Sequence, residues 1–203
     1  SLQDYNAWKE KDDTKGFRIK YYKGLGTSST MEAKMYFKEL HTQTYQFDIE
    51  KSNVALNLAF DKKLASQRKQ WLQKYDEQSI LDFNQEKIGF EEFVHKDLIH
   101  FSHADCLRSI PDVRDGLKPS QRKILYCALK RRLKNEIKVA QLAGYVSEHA
   151  SYHHGEQSLM MAIIGLAQNF VGSNNLNILY PSGQFGSRLM GGKDAASPRY
   201  IFT

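Results

Sequence analysis

The C-terminal end of the chain places a possible nucleophile beside a possible phosphate ligand. Arg199 and Tyr200 follow a stretch rich in small residues, 191–197, and come directly after Pro198. Glycine and alanine let a backbone approach a large ligand closely, and the proline fixes its own φ and favours an extended residue before it. A guanidinium can bind a phosphate through two parallel hydrogen bonds, and a phenol can attack that phosphate. Alone this pattern is weak, because most Arg-Tyr pairs are surface or packing residues.

The positive charge of the chain is concentrated in one segment. The 203 residues are 41% hydrophobic and 12% aromatic, which suits one large or two small folded domains and is not typical of a disordered chain. The net charge is +6, and residues 114–138 hold nine Lys and Arg against two Asp and Glu. A concentrated basic segment indicates a polyanion partner, and nucleic acid is favoured over a plain solvated helix face.

Periodicity and turn residues predict an N-terminal half of mixed helix and strand. The predicted elements are, in order, a helix at 1–15, a strand at 17–22, a glycine-rich turn at 23–27, a helix at 31–40 capped by Thr30, a strand at 44–49 and one long helix at 53–75. A glycine turn between a strand and a helix can cradle phosphate, although a structural turn is the simpler interpretation. The polar stretch 76–89 is predicted to be a connector.

The C-terminal half predicts helices followed by a hairpin. A helix at 90–110 is expected to bury Phe93, Leu98, Phe101 and Leu107. A loop at 111–119 leads into a basic helix at 120–133 that is expected to bury Ile124, Leu125, Ala128 and Leu129. Short helices at 139–147 and 156–170 form a helix-turn-helix pattern, and 177–188 is predicted to be a hairpin in which Leu176, Ile178 and Tyr180 face Phe185. Three helices and a hairpin predict a winged helix.

Four motifs occur along the chain in one order. They are PDVRDGLKP at 111–119, YHHGE at 152–156, GQFG at 183–186 and the Arg-Tyr pair. Together they resemble the DNA-gate region of type IIA DNA topoisomerases. The paired histidines and the Ser-Asn-Asn run at 173–175 resemble the eukaryotic branch of that family rather than bacterial gyrase. The stretch YYKGLGT at 21–27 is similar to the end of the metal-binding Toprim domain of the same enzymes.

The resemblance implies an α+β fold in three parts. Residues 1–50 would be the C-terminal tail of a Toprim-like α/β region, residues 51–89 a helical linker, and residues 90–203 a winged-helix DNA-binding domain that ends at the catalytic tyrosine.

The resemblance also implies roles for individual residues. Tyr200 would attack a DNA phosphodiester and form a 5′-phosphotyrosyl bond, and Arg199 would brace that phosphate. His154, Arg108 and Lys118 would hold the scissile phosphate and the neighbouring backbone. Two simpler interpretations stay open: His154 could be an ordinary turn histidine, and the two cations could bind backbone phosphates without a part in the chemistry.

Five further residues are candidates for contacts with DNA. Arg122 and Lys123 are expected to position phosphates, which adds affinity and salt dependence without base specificity. Arg114 lies in the same basic segment. His153 is a candidate for DNA contact, although a structural role suits it better than a catalytic one. Lys23 belongs to the turn that resembles the Toprim domain.

The resemblance places cofactors and partners outside this sequence. The acidic Mg²⁺ cluster of the Toprim domain and the ATPase domain are not visible in it, so the sequence predicts a piece of a larger enzyme that binds duplex DNA but cleaves it poorly alone. The whole enzyme would be a homodimer in which the tyrosine of one protomer works with the metal site of the other. It would be nuclear if cellular, and would act at a cytoplasmic viral replication site or in the virion if viral.

A second function, from a different class, is a non-catalytic winged-helix module that binds duplex DNA. It explains the basic segment, the helix-turn-helix pattern and the hairpin. It does not explain why an Arg-Tyr pair follows them on a stretch of small residues. A metal-dependent nuclease is disfavoured, because no cluster of acidic residues stands out in the sequence.

Overall fold

The chain folds into two compact units of helices with a two-stranded sheet. The computed structural model describes residues 2–11, 16–20, 22, 25–38, 40, 42–152, 154–174 and 176–203. One unit comprises residues 1–44 and 83–87, and the other comprises residues 45–82 and 88–203. Among the described residues, no helix is long and apolar enough to cross a membrane. The domain limits at residues 50 and 89 stay a prediction.

The elements follow one another as mixed helix and strand. They are α1 (Leu2–Lys9), α2 (Thr30–Lys38), β1 (Thr44–Gln46), α3 (Ile49–Phe60), α4 (Ala65–Gln73), β2 (Lys87–Gly89), α5 (Phe90–Phe93), α6 (Ile99–Ser109), α7 (Pro119–Lys130), α8 (Val139–His149) and α9 (Glu156–Ala167). Short 3₁₀ turns lie at Leu25–Thr27 and Lys62–Leu64, and a π-helical turn at Val94–Leu98 joins α5 to α6. β1 pairs with β2. The α+β class is confirmed.

Two predictions in the first unit are wrong. Residues 17–20 and 22 form no strand; the side chain of Phe17 is 67% exposed and meets the ring of Trp8 edge-on at 5.6 Å. The residue that caps α2 is Ser29 and not Thr30. The Ser29 amide donates to the Glu32 carboxylate at 2.6 Å and the Glu32 amide donates to the Ser29 hydroxyl at 3.3 Å, which is a reciprocal capping box.

The predicted single helix at 53–75 is also wrong, because the chain turns between α3 and α4. Asp61 follows the last residue of α3, and its carboxylate accepts from the amide of Lys63 at 2.9 Å. The guanidinium of Arg68 donates to the carbonyls of Leu58, Ala59 and Asp61 at 2.8, 3.0 and 3.1 Å. These carbonyls have no partner inside the helix, so α4 stabilises the end of α3 instead of continuing it.

The predicted helix at 90–110 is helical from Phe90 to Ser109, but its buried face differs from the expected one. Val94 and Ile99 are buried at 0% and 5% exposure, whereas Phe101 and Leu107 are 66% and 62% exposed. The π-helical turn adds one residue to a turn of helix. Because each residue advances an α-helix by about 100°, this insertion moves the inward face away from Phe101 and Leu107.

Helices α7, α8 and α9 surround the main hydrophobic core of the second unit. α8 and α9 confirm the helix-turn-helix pattern. The buried side chains of this core are Ile124 and Cys127 of α7; Ile137, Val139, Leu142, Ala143 and Val146 in and before α8; Leu159, Ile163, Ile164, Leu166 and Ala167 of α9; and Leu179, Phe185 and Ile201 from the following segment. Leu129 was expected in this core, but its side chain is 78% exposed.

The predicted hairpin at 177–188 is wrong in its pairing. No strand is present in these residues. Ser182 instead pairs with Phe202 through two backbone hydrogen bonds of 3.0 and 2.9 Å, and Phe202 also bridges to Lys138. Phe185 is buried, whereas the three residues expected to face it are exposed: Leu176, Ile178 and Tyr180. The chain that follows the Arg-Tyr pair takes the pairing position that the hairpin would have needed.

Candidate nucleic-acid cleavage site

Tyr200 is an exposed phenol on a fixed stretch of backbone. Its side chain is 76% exposed, while the following Ile201 and Thr203 are buried at 2% and 6% exposure. The amide of Val139 donates to the carbonyl of Ile201 at 3.1 Å. Ile137 and Thr203 exchange two hydrogen bonds of 2.9 Å. The backbone on the C-terminal side of Tyr200 is therefore tied to the start of α8, and the ring is presented to a ligand.

Glycines shape the backbone that leads to the exposed side chain of Arg199. Gly186 and Gly192 adopt φ values of +92° and +78°, in the left-handed region that favours glycine. A Cβ atom on Gly186 would lie 2.7 Å from the Cα atom and from the carbonyl oxygen of Gly192. Beyond this crossing, the amide of Ala196 donates to the carbonyl of Gln184 at 2.9 Å. The small residues thus let two parts of this backbone approach each other, which the sequence pattern had suggested for a ligand.

Gln168 supports this arrangement, and sequence reasoning missed it. Its side chain is 8% exposed and lies against Gly192. Its amide donates to the carbonyl of Phe185 at 2.8 Å and its carbonyl accepts from the hydroxyl of Ser173 at 2.7 Å. A single glutamine after a helix carries no signal in one sequence, because its role depends on contacts with residues far along the chain.

Arg108 and His154 line one surface cavity of about 410 Å³. The cavity is also lined by Phe101, Ala104, Asp105, Leu107 and Pro119, and Tyr200 does not line it. The guanidinium of Arg108 forms an ion pair with Asp105. The ring of His154 meets that of Tyr152 edge-on at 5.5 Å. Two of the residues predicted to hold phosphate therefore share one concave surface.

Lys118 lies next to that cavity in the sequence. It directly precedes Pro119, the first residue of α7, and its side chain is exposed. Its backbone amide donates to the side-chain carbonyl of Gln121 at 2.8 Å. The backbone of Lys118 is thus fixed by the start of the helix, whereas its ammonium group faces solvent.

Arg114 and Arg122 bind carboxylates of their own loop. Arg114 donates to both oxygens of Asp112 at 2.9 and 2.8 Å, and Arg122 donates to both oxygens of Asp115 at 2.8 and 2.9 Å. Arg122 also pairs with Asp112 at 3.1 Å. Hydrogen bonds from the guanidinium groups hold the pKa values of both aspartates below their usual range and raise the pKa of Arg122. The two aspartates were missed, although the alternation of Asp and Arg at 112–115 was a visible signal.

Lys123 contacts the turn between α8 and α9. Its ammonium donates to the carbonyl of Ser151 at 2.9 Å, and Ser151 has a φ of +47°, unusual for a residue other than glycine. This turn leads to His154. Two other residues predicted to contact DNA, Lys23 and His153, lie outside the described residues.

The described residues do not form a metal site by themselves. Within them, no three His, Cys, Asp or Glu side chains come together as a possible ligand set. The acidic residues of the loop at 112–115 are bound to arginines and not gathered around a free position. A Mg²⁺ ion does not fit any group of residues that the structure describes, and no chemical step is derived through one.

The fold and this site define an α+β chain in which a helix-turn-helix supports an exposed Arg-Tyr pair. Residues 1–106 match the family described as the C-terminal associated domain of TOPRIM, and residues 108–203 match the family of DNA gyrase and topoisomerase IV chains that carries their DNA-cleaving subunit type. The chain belongs to the TOPRIM-associated family, and its resemblance to the eukaryotic branch of the type IIA topoisomerases is confirmed.

Similar proteins support the same assignment over the whole chain. The sequence is 54% identical to DNA topoisomerase 2 of Arabidopsis thaliana, 52% to that of Saccharomyces cerevisiae and 52% to the mitochondrial DNA topoisomerase 2 of Dictyostelium discoideum. Each match covers all of this chain but only 14%, 14% and 16% of the relative. The crystal structure of the Plasmodium falciparum topoisomerase II DNA-binding, cleavage and re-ligation domain is 49% identical, with a TM-score of 0.74, over 100% of this chain and 28% of that one.

Proposed function

We propose that the chain is the DNA-cleaving part of an ATP-dependent type II DNA topoisomerase. The enzyme opens one duplex transiently, passes a second duplex through the break, and so relaxes or decatenates DNA. The observation that carries this proposal is the 76% exposed phenol of Tyr200 beside the exposed Arg199, on backbone that is hydrogen-bonded to the start of α8. The names of the relatives support the same function.

The proposed reaction exchanges one phosphoester bond for another. The phenol oxygen of Tyr200 attacks a backbone phosphorus atom, the bond from phosphorus to the 3′ oxygen breaks, and the 3′ oxygen takes up a proton. The DNA then remains joined to the protein through its 5′ phosphate. Because one phosphodiester replaces another, the 3′ hydroxyl can reverse the reaction without ATP at this step. Arg199 stabilises the negative charge that develops on the phosphate.

The other cations are proposed to hold the DNA around this phosphate. Arg108 and His154 share one cavity, and the ammonium of Lys118 faces solvent next to Pro119, which also lines it. These three residues are therefore assigned to the scissile phosphate and the neighbouring backbone. Their electrostatic attraction to phosphate fixes the position of the duplex and reads no sequence.

Four further DNA contacts differ in how much the structure supports them. Lys123 has two N–H donors left after its bond to Ser151 and can bind a phosphate without losing that bond. Arg114 and Arg122 would have to share or exchange their aspartate partners in order to bind phosphate. For this reason, Lys123 is the strongest of these candidates; His153 is retained as a proposed contact, as is Lys23.

The proposed cofactors and the second protomer lie outside this chain. Mg²⁺ would be bound by a Toprim domain and ATP by an ATPase domain of the whole enzyme, which would be a homodimer acting on duplex DNA. The reported relatives are cellular and one is mitochondrial, which supports a nuclear or mitochondrial enzyme and gives the viral alternative no support.

A second candidate function is a winged-helix module that binds duplex DNA without chemistry. Helices α7, α8 and α9 pack around one core, and the basic segment at 114–138 covers α7 and the start of α8. This arrangement would favour binding even if Tyr200 had no reaction to perform.

Adduct trapping distinguishes the two functions. The chain is mixed with a protein that carries an intact Toprim metal site, with Mg²⁺ and with nicked duplex DNA, and the reaction is quenched with detergent. DNA labelled at its 3′ end should become linked to protein, whereas DNA labelled at its 5′ end should not. Tyr200→Phe should remove the signal and leave the affinity for DNA nearly unchanged. Tyr180→Phe is the matched control, since Tyr180 is also 65% exposed.

Two results would decide against the catalytic function. Tight binding without an adduct, with a partner known to be competent, would favour the module. An adduct that survives Tyr200→Phe but disappears in Tyr180→Phe would move the nucleophile to the other tyrosine.

A further inference from the structure

We propose that the loop at 187–194 is a second contact with duplex DNA, in which Leu189 and Met190 form an apolar wedge against the base pairs. Leu189 is 92% exposed and Met190 is 54% exposed. Two neighbouring apolar side chains at such exposure do not contribute to the core. The inference rests on the proposed function only in taking duplex DNA as the partner.

The loop is folded rigidly enough to present these side chains. The amide of Gly192 donates to the carbonyl of Ser187 at 2.9 Å, and that of Gly191 donates to the carbonyl of Arg188 at 3.1 Å. The amide of Ser187 donates to the carboxylate of Asp194 at 2.8 Å, which closes the loop at its base. Leu189 and Met190 therefore project from a closed loop whose ends are joined, and do not belong to a stretch free to collapse onto the core.

Charge around the two apolar side chains favours nucleic acid over a protein partner. Arg188 precedes the pair and Lys193 follows it, and both side chains are exposed. Neither forms an ion pair with another residue in the parts of the chain that the structure describes. The one acidic residue of the loop, Asp194, accepts from Ser187. An apolar wedge flanked by cations is the combination with which proteins enter the minor groove, separate two base pairs and bend the duplex.

The position of the loop in the chain gives this wedge a role. It lies between the crossing of Gly186 with Gly192 and the Arg-Tyr pair, so its base is held by the same contacts that shape the backbone before Tyr200. A duplex that is bent by Leu189 and attacked by Tyr200 would contact both ends of one short segment. We therefore expect bending of the DNA, and not only its binding, to depend on Leu189.

The test measures affinity and bending separately on the 203-residue chain. A duplex of about 30 base pairs, labelled with a fluorescent donor and acceptor at its two ends, reports bending as a rise in energy transfer. Leu189→Ala should abolish most of that rise and weaken binding by about tenfold, as expected when one leucine side chain leaves an apolar contact. Leu176→Ala is the matched control, because Leu176 is 83% exposed in a different loop, and it should behave like the wild type.

The flanking cations are tested by salt dependence. Arg188→Gln and Lys193→Gln should each lower the slope of log affinity against log salt by about one, and Lys9→Gln, a lysine of α1, should leave the slope unchanged. Bending and affinity equal to wild type in Leu189→Ala would overturn the wedge while leaving the proposed function intact. Unchanged bending with a loss of self-association in Leu189→Ala would make the loop a protein contact, which also overturns it. Failure of the wild type to bind duplex DNA would sink the proposed function together with the wedge.

Discussion

The side-chain amide of Gln168 donates to the backbone carbonyl of Phe185 at 2.8 Å, from a position that is 8% exposed. This bond joins the residue after α9 to the segment that leads to the Arg-Tyr pair. The other end of the same side chain accepts from the hydroxyl of Ser173, so both polar atoms of the glutamine are satisfied. A buried polar group with both partners in place specifies one arrangement of the backbone around it.

Gln168→Leu should destabilise the fold. The change leaves the carbonyl of Phe185 without its donor in a buried position, which costs about 1–3 kcal/mol of the free energy of unfolding. Urea unfolding measures this cost, and the yield of the tyrosine adduct should fall with it. Gln141→Leu on the exposed face of α8 is the control and should change the free energy by less than about 0.5 kcal/mol. Equal effects of the two substitutions would contradict a structural role for Gln168.

Gly186→Ala should be more destabilising than Gly191→Ala. Both glycines have positive φ, at +92° and +60°, so each substitution incurs the conformational cost of about 1 kcal/mol for a side chain in that region. Only at Gly186 would the new Cβ atom also lie 2.7 Å from the backbone of Gly192, whereas at Gly191 nothing lies within 4 Å. Thermal unfolding of the two variants compares them directly. A lower melting temperature for Gly191→Ala than for Gly186→Ala would contradict this crossing of the backbone.

Patterns within one stretch of sequence predicted the local elements well. The apolar period of α8 and α9 was enough to place the helix-turn-helix, and Pro119 marked the start of α7. The four motifs identified the family, because residues that bind and cleave a polymer must keep their types and their order along the chain.

The predictions that were wrong concern contacts between distant residues. Pairing of Ser182 with Phe202 replaced the hairpin, and nothing in the stretch 177–188 reveals a competitor twenty residues away. The interruption after α3 depends on Arg68 reaching back to the carbonyls at its end. The π-helical turn at Val94–Leu98 has no apolar period of its own, so the face it rotates was assigned to the wrong side chains.

Asp112→Asn should increase the affinity for duplex DNA at low salt. The substitution removes the carboxylate that pairs with Arg114, but an asparagine side chain retains an oxygen that can accept from the Arg114 amide. A released guanidinium can contact one more phosphate, so the slope of log affinity against log salt should steepen by about one. Glu136→Gln changes the net charge equally within the same basic segment and is the control. Indistinguishable slopes in the two variants would show that net charge alone matters.

The ion pairs of the same loop should make stability depend on pH in the acid range. The pKa of Asp115 is lowered in the fold, chiefly by hydrogen bonds from Arg122, so the unfolded chain binds protons more readily at this residue. The contribution to stability is therefore complete above the unfolded aspartate pKa of about 3.9. It is lost as the pH falls through that value and towards the lower pKa of the folded state.

Asp115→Asn should consequently reduce the loss of stability between pH 7 and pH 3. Asparagine retains an oxygen that can accept from the Leu117 amide but does not titrate, so only the pH-dependent ion pair disappears. Urea unfolding midpoints at several pH values measure the difference between variant and wild type. Glu77→Gln, at an exposed acidic residue without an ion pair within the described ranges, should keep the acid sensitivity of the wild type. A wild-type pH dependence in Asp115→Asn would mean that this ion pair contributes nothing to folding.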